Sequence, residues 1–302
     1  MMRYNFQEVA HCNMCGASAS TAKILGRRMN RSQGIRPTAK VGISTTVMKC
    51  TVCGLVYSNP MPVPESMSQH YCIPPESYWV KEYFVLDDSY FGSQIDRFFM
   101  LHCRDADALQ GLDIGAGVGK CMIALERRGI TAFGIEPSEP FYDRAIESMG
   151  IQPAKLQMAS IEKAEYAENT FDFVTFGAVL EHLYDPSESI RTALKWTRPG
   201  GLIHIEVPSA DWLTNKISNL VYFFQGLDYV ANISPMHSPF HLYEFTRKSF
   251  VHHARLNEYD IAFSEIQVAS TFLPKILDFV VKPIMSATNT GMQLEIWLRK
   301  RG

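Results

Sequence analysis

One feature constrains this chain more than any other. A short apolar strand runs straight into a glycine turn, Leu112-Asp-Ile-Gly-Ala-Gly-Val-Gly119. Glycines at such a turn let the backbone bend sharply and approach a ligand closely, and the helix that follows offers free N–H groups at its start. Strand, turn and helix in that order commit the chain to an α/β architecture. A second strand then ends at Glu136, an acid able to accept hydrogen bonds from ribose hydroxyls. Glycine spacing separates two kinds of site. A dinucleotide loop wants its third glycine where Lys120 stands, and Asp113 before the turn would repel a pyrophosphate but suits a cationic ligand.

Strand and helix patterns alternate from about residue 109. Helices are expected over 120–128, 140–149, 187–196 and 246–257, and strands over 112–114, 131–136, 171–176, 202–207, 261–268 and 292–299. The pattern predicts a Rossmann-like, doubly wound, mostly parallel seven-stranded sheet with helices on both faces. Ser138 is placed to cap the second helix, and Arg198-Pro-Gly-Gly201 to end the third. Between 207 and 246 lies an insertion too long and too aromatic for an ordinary connection, carrying Trp212, Tyr222, Phe223, Phe224, Tyr229, Phe240 and Tyr243. It reads either as a substrate lid over 209–245 or as an extra packed helical hairpin.

Seven cysteines are present, and four form matched pairs, Cys12-x-x-Cys15-Gly and Cys50-x-x-Cys53-Gly. Thiolates at this spacing make the knuckles of a zinc ribbon, so residues 1–60 are expected to hold a structural Zn²⁺ in a four-cysteine site. Arg27, Arg28, Arg31, Arg36 and Lys40 make the middle of this segment basic, as either a solvated loop or a phosphate contact. Asn59-Pro-Met-Pro-Val-Pro64 punctuates the chain, and 61–108 reads as a helical, aromatic linker and cap containing Tyr71, Tyr78, Trp79, Tyr83 and Phe84, with a helix over 93–103. The alternating strand–helix region would then occupy 109–302. A net charge of −2 argues against a nucleic-acid surface. No run is apolar enough to span a bilayer, and the amino terminus lacks a signal-peptide pattern, so a soluble, cytoplasmic protein is expected.

Four blocks in order resemble the class I S-adenosylmethionine-dependent methyltransferase family, in its small-molecule subgroup. They are Leu112-Asp-Ile-Gly-Ala-Gly-Val-Gly, Gly134-Ile-Glu-Pro-Ser, Phe171-Asp-Phe-Val with Ala178-Val-Leu-Glu-His-Leu-Tyr-Asp-Pro, and Arg198-Pro-Gly-Gly-Leu-Ile. The resemblance implies that Asp113, Gly115, Ala116, Gly117, Gly119 and Ala178 line S-adenosylmethionine and that Glu136 holds its ribose. Pro137 and Ser138 would lie near the adenine, with Ser160 where the family often has an aspartate. The amino-terminal four-cysteine segment with Cys53-Gly-Leu-Val-Tyr-x-Asn-Pro resembles bacterial methyltransferases of sugars and nucleotide-linked sugars. Those that methylate carbon usually carry a further carboxy-terminal domain, so both O- and C-methylation stay open.

Methyl transfer asks the protein to align an acceptor and remove its proton. Glu181-His182 follows a central strand at the ligand edge of the sheet, and His182 is the expected base. His241, in His237-Ser-Pro-Phe-His-Leu-Tyr-Glu244, either joins it or pins the lid. In relatives with a Glu-x-x-Glu-His arrangement a metal sits here; with Ala178 at its first position, the resemblance implies none. His204 reads as a core histidine, and His252 and His253 as a helix face carrying nothing. An RNA methyltransferase and a non-catalytic binding protein are the alternative functions.

Overall fold

The computed structural model describes residues 3–30, 42–65, 85, 87–102, 108–268, 271 and 275–302. Arg31, Arg36, Lys40, Tyr71, Cys72, Tyr78, Trp79, Tyr83, Phe84 and Cys103 lie outside them.

The amino-terminal segment is built from β1 (Tyr4–Gln7), β2 (Lys23–Met29), β3 (Ser44–Lys49), β4 (Val56–Ser58) and β5 (Met61–Pro64). Each cysteine pair closes a tight knuckle. The Gly16 N–H donates to the Cys12 carbonyl at 2.9 Å, and that of Gly54 to the Cys50 carbonyl at 3.0 Å. Both glycines sit at positive φ, where a side chain would be strained. Strand β5 pairs antiparallel with β1, so by its pairing 61–64 joins the amino-terminal segment, past the boundary that the prolines suggest. Proline is tolerated there because the ribbon has only two strands and each has an open side.

The large sheet follows. Its elements are α1 (Gly92–Leu101), β6 (Leu109–Ile114), α2 (Lys120–Arg127), β7 (Ile130–Ile135), α3 (Glu139–Glu147), β8 (Leu156–Gln157), β9 (Phe171–Gly177), α4 (Pro186–Trp196) and β10 (Thr197–Pro208). Then come α5 (Leu213–Phe224), β11 (Tyr243–Glu244), α6 (Arg247–Ala254), β12 (Tyr259–Gln267), α7 (Lys275–Ala287) and β13 (Gln293–Lys300). Seven strands lie in the order β12-β13-β10-β9-β6-β7-β8. The last five are parallel, and β13 runs antiparallel to both its neighbours. This is the expected mostly parallel sheet. Strand β9 is central and buried from Phe171 to Phe176, as a strand covered on both faces must be.

Of two local expectations one holds: the helix before Arg198-Pro-Gly-Gly ends at Trp196, and β10 begins at Thr197 and takes in the motif as an irregularity between Thr197 and Leu202. Ser138 occupies the N-cap of α3 without a side-chain cap bond. Side-chain caps are found instead on α4, where Asp185 accepts from the Glu188 N–H at 2.9 Å ahead of Pro186, and on α6, where Thr246 accepts from the Ser249 N–H.

The insertion holds one helix, α5, and one short strand, β11. That strand leaves the large sheet altogether and pairs antiparallel with β4, Tyr243 opposite Tyr57 and Glu244 opposite Val56. A four-stranded sheet β11-β4-β3-β2 therefore joins the insertion to the cysteine segment. On its far side Arg27 grips the insertion, its N–H donating to the Asp228 carbonyl at 2.7 Å and its side chain pairing with the Asp228 carboxylate at 2.6 Å. One apolar core runs through both parts, from Cys12, Cys53 and Tyr57 to Tyr243, Val174 and Ile205.

Candidate functional site

The carboxyl ends of β6, β7 and β9 meet where the glycine turn lies. Gly115 and Ala116 donate N–H bonds to the Ile135 carbonyl at 2.9 and 3.0 Å, folding the turn back onto β7. A β-carbon at Gly115 would come within 2.6 Å of Val179, so the approach of this turn to the β9 edge requires glycine. Glu136 then laces the corner. One carboxylate oxygen accepts from the Gly117 N–H and the other from the Ser138 N–H, both at 2.8 Å. Each oxygen keeps a lone pair for a further donor.

Asp113 and Glu136 are both buried here. Burial, with the charge of Glu136 adding to it, pushes Asp113 up to about 8. Burial likewise raises Glu136 to about 7, against the pull of the two N–H donors. Two desolvated carboxyls side by side disfavour a pyrophosphate and favour a cation. That donor set fits the ribose and the cationic methionine portion of S-adenosylmethionine. Ser138 is buried just beyond Glu136, and Ser160 stands three residues past β8 on the same edge, its carbonyl closing a turn to Lys163 and Ala164. Ala178 follows β9 at φ 55, a left-handed conformation that is costly for a residue with a β-carbon.

A second corner lies next to Ala178. The turn Leu180–His182 brings Glu181 inward, with only 2% of its side chain exposed. The Leu242 N–H donates to the Glu181 carbonyl at 2.9 Å, which fastens the insertion to this turn. His241 thereby reaches Glu181: its Nε2 lies 3.8 Å from Glu181 Oε1, and His182 Nε2 lies at the same distance. The two imidazoles meet edge to face at 5.1 Å. His182 Nδ1 bonds the Phe240 carbonyl at 3.2 Å. A carbonyl only accepts, so Nδ1 carries the proton, and in the neutral ring Nε2 bears a lone pair. Burial raises the Glu181 carboxyl to about 8, with Glu206 adding to it, and holds His241 neutral, down to about 3. Glu181, His182 and His241 are thus one constellation.

The other histidines sort differently. His237 turns its Nδ1 to the Ser238 carbonyl. His204 is a core residue, bonded to Thr175 at 2.8 Å. His253, expected to sit idle on a helix face, is buried and bonds Ser187 at 2.9 Å and Tyr259 at 3.0 Å. It clamps α6 to α4 and β12, and its helical neighbour His252 gave no sequence cue to which of the two points inward. Glu244 and Tyr243 also turn away from His241. Tyr243 donates to the Tyr184 carbonyl at 2.9 Å, and Glu244 collects Asn215, Asn232 and the Ile233 N–H in a buried knot. Of the aromatic side chains in the insertion, Tyr222, Tyr229 and Tyr243 are buried, whereas Phe223 and Phe224 are 72% and 78% exposed.

The four paired cysteines converge, all sulfurs within 4.8 Å of one another. Cys12 and Cys53 sulfurs stand 3.5 Å apart, Cys15 and Cys50 3.6 Å. Zn–S bonds of about 2.3 Å give a tetrahedron with edges of roughly 3.8 Å, while a disulfide needs about 2.05 Å. The spacing matches the tetrahedron.

A family model described as a methyltransferase domain matches residues 89–261. The chain belongs to that family. Among curated relatives, the ubiquinone biosynthesis O-methyltransferase of Pseudomonas savastanoi pv. phaseolicola is 28% identical over 127 residues, 41% of this chain and 53% of that protein. The protein of the same name from Coxiella burnetii (strain Dugway 5J108-111) is 28% identical over 126 residues. The chain spans about half the length of the curated relatives it matches. An S-adenosylmethionine-dependent methyltransferase structure from Mesorhizobium loti aligns with 71% of this chain and 98% of its own, at 14% identity and a TM-score of 0.47. The methyltransferase domain here contains both corners described above, and no helix among the described residues is long and apolar enough to cross a membrane.

Proposed function

We propose that this protein methylates a hydroxyl, or an acidic carbon, of a small hydroxylated metabolite, a sugar or nucleotide-sugar. The observation that carries the reading is His182, whose locked Nδ1–H leaves Nε2 as a Lewis base beside Glu181 at the β9 edge. S-adenosylmethionine, when bound, supplies an electrophilic methyl group. Asp113 and Glu136 hold it, Ala178 and the 180–182 turn border its reactive end, and the insertion excludes water. The acceptor's proton passes to His182 Nε2 as its oxygen or carbon takes the methyl. Curated relatives named as O-methyltransferases favour a hydroxyl.

An RNA acceptor is disfavoured by the arginines themselves. Among the described residues of that basic stretch, Arg28 is buried with Nη1 on the Val230 carbonyl and Arg27, half exposed, is paired with Asp228. We assign the four cysteines a structural Zn²⁺, and their free thiols suit a reducing, cytoplasmic setting.

The test is mass gain on a panel of sugars and nucleotide-sugars incubated with the full chain and cofactor, alongside calorimetry with the demethylated cofactor. His182→Ala is expected to lower turnover by 10²–10⁴-fold, the usual range for a lost general base, with cofactor affinity unchanged. A fully active His182→Ala protein overturns its role, and failure to bind the cofactor product overturns the reading.

A further inference from the structure

We infer that Glu181, His182 and His241 form a second metal site, which takes a divalent transition-metal ion and is completed by the acceptor. Three ligand atoms, one carboxylate oxygen and two imidazole nitrogens, lie within 4.8 Å of one another. Glu181 Oε1 stands 3.8 Å from both Nε2 atoms. Metal bonds of about 2.1 Å place neighbouring ligand atoms roughly 3 to 3.5 Å apart, so side-chain rotation of well under an ångström per group closes the set.

Two further observations point the same way. Glu181 Oε2 is buried and has no hydrogen-bond partner, and an orphaned carboxylate oxygen in such a place calls for a cation or a donor. His182 is held as ligating imidazoles are held, with its other nitrogen donating to a backbone carbonyl, here that of Phe240. Two imidazoles with one carboxylate select first-row transition ions over magnesium or calcium, which prefer all-oxygen shells.

The residue implied by a Glu-x-x-Glu-His arrangement is absent at Ala178, and His241 takes its place from the insertion, 59 positions after His182. No local spacing reveals that. Three protein ligands leave positions open on the ion. Resting on the function proposed above, those positions suit a hydroxyl or a vicinal diol of the acceptor. In the loaded site Nε2 of His182 would bind the cation in place of a proton, and the acceptor hydroxyl would lose its proton to solvent as it binds the ion, keeping the electron pair that forms the new bond to the methyl carbon. The carbon–sulfur pair goes to sulfur. This use of Nε2 and the proton-acceptor role exclude one another.

Mn²⁺ separates them, because it prefers nitrogen and oxygen ligands and leaves thiolate-bound zinc in place. Full-length, zinc-loaded protein is titrated with Mn²⁺ and followed by electron paramagnetic resonance. The expected result is one Mn²⁺ per chain, with imidazole-nitrogen modulation in the spin-echo signal. Glu181→Gln and His241→Asn are each expected to raise the Mn²⁺ dissociation constant at least tenfold, with unchanged circular dichroism and cofactor-product affinity within twofold. Absence of stoichiometric Mn²⁺ binding, or binding indifferent to both substitutions, overturns the metal site. Cofactor-product binding without Mn²⁺ refutes the metal and leaves the methyl-transfer reading standing. Mn²⁺ binding without cofactor-product binding does the reverse.

Discussion

Single carboxyls decide how the cofactor corner responds to pH. Glu136 ionises near 7 instead of its ordinary 4.5 because burial disfavours the charge. Between those values the cofactor-free protein binds more protons than the unfolded chain, so its stability falls as pH rises from about 4.5 to 7. A cationic ligand reverses the preference. Affinity for S-adenosylmethionine is expected to rise from pH 6 to 8 with proton release, and the demethylated product, which lacks the sulfonium charge, should release fewer protons. Calorimetry in buffers of different ionisation enthalpy reads both. Glu136→Ala removes charged hydrogen bonds worth about 1.5–3 kcal/mol, which weakens the cofactor roughly 10- to 150-fold, measured as a dissociation constant. His253→Ala works through stability alone. It removes two buried hydrogen bonds, although Ser187 keeps Arg191 and Tyr259 keeps the Phe250 carbonyl, a loss of about 1–3 kcal/mol, and the thermal midpoint should drop by several degrees with cofactor affinity intact. The places of Asp113 and Glu136 beside the glycine turn were legible in the sequence because they follow from distance to that turn. The inward face of His253 was not, since adjacent histidines on a short helix differ only in what packs against them.

Among elements, the alternation of strand and helix is written in periodicity, and every expected strand of the large sheet is present within a few residues. Strand β10 shows the limit. Pro199 and the two glycines after it read as the end of a helix, which they are, but not as part of the strand that follows: β10 runs from Thr197 through them with a register shift against β9. The insertion shows another. Its aromatic richness marked it as unusual, but aromatic count does not say that a carboxylate holds it. Glu244 binds Asn215 on α5, Asn232 and the Ile233 backbone at once. Glu244→Ala is therefore expected to cost about 3 kcal/mol and to loosen the stretch 213–242 selectively. Hydrogen exchange should quicken there and stay slow in β6 and β9; uniform protection would show that the knot does not hold the insertion.

Across the whole molecule, the amino-terminal segment and the methyltransferase domain are two by sequence and joined by pairing. Val56 and Glu244 are partners that no local signal connects, and the Thr246 hydroxyl donates to the Cys53 carbonyl at 2.7 Å. With Zn²⁺ on the four cysteines as proposed, stripping it with a strong chelator should thus quicken exchange in 10–30, 42–60 and 241–249 together, while 109–136 stays protected. Exchange confined to 10–30 and 42–60 would mean that the shared sheet transmits nothing. The same pairing sets an order of events during synthesis. Strand β4 ends at Ser58, and the strand that completes its sheet begins only at Tyr243. At about 5–20 residues per second the growing chain waits roughly 10–40 s between them. The last cysteine of the knuckles is made before β4, so a metal ion can fasten the first part of the protein well before its cover has been translated.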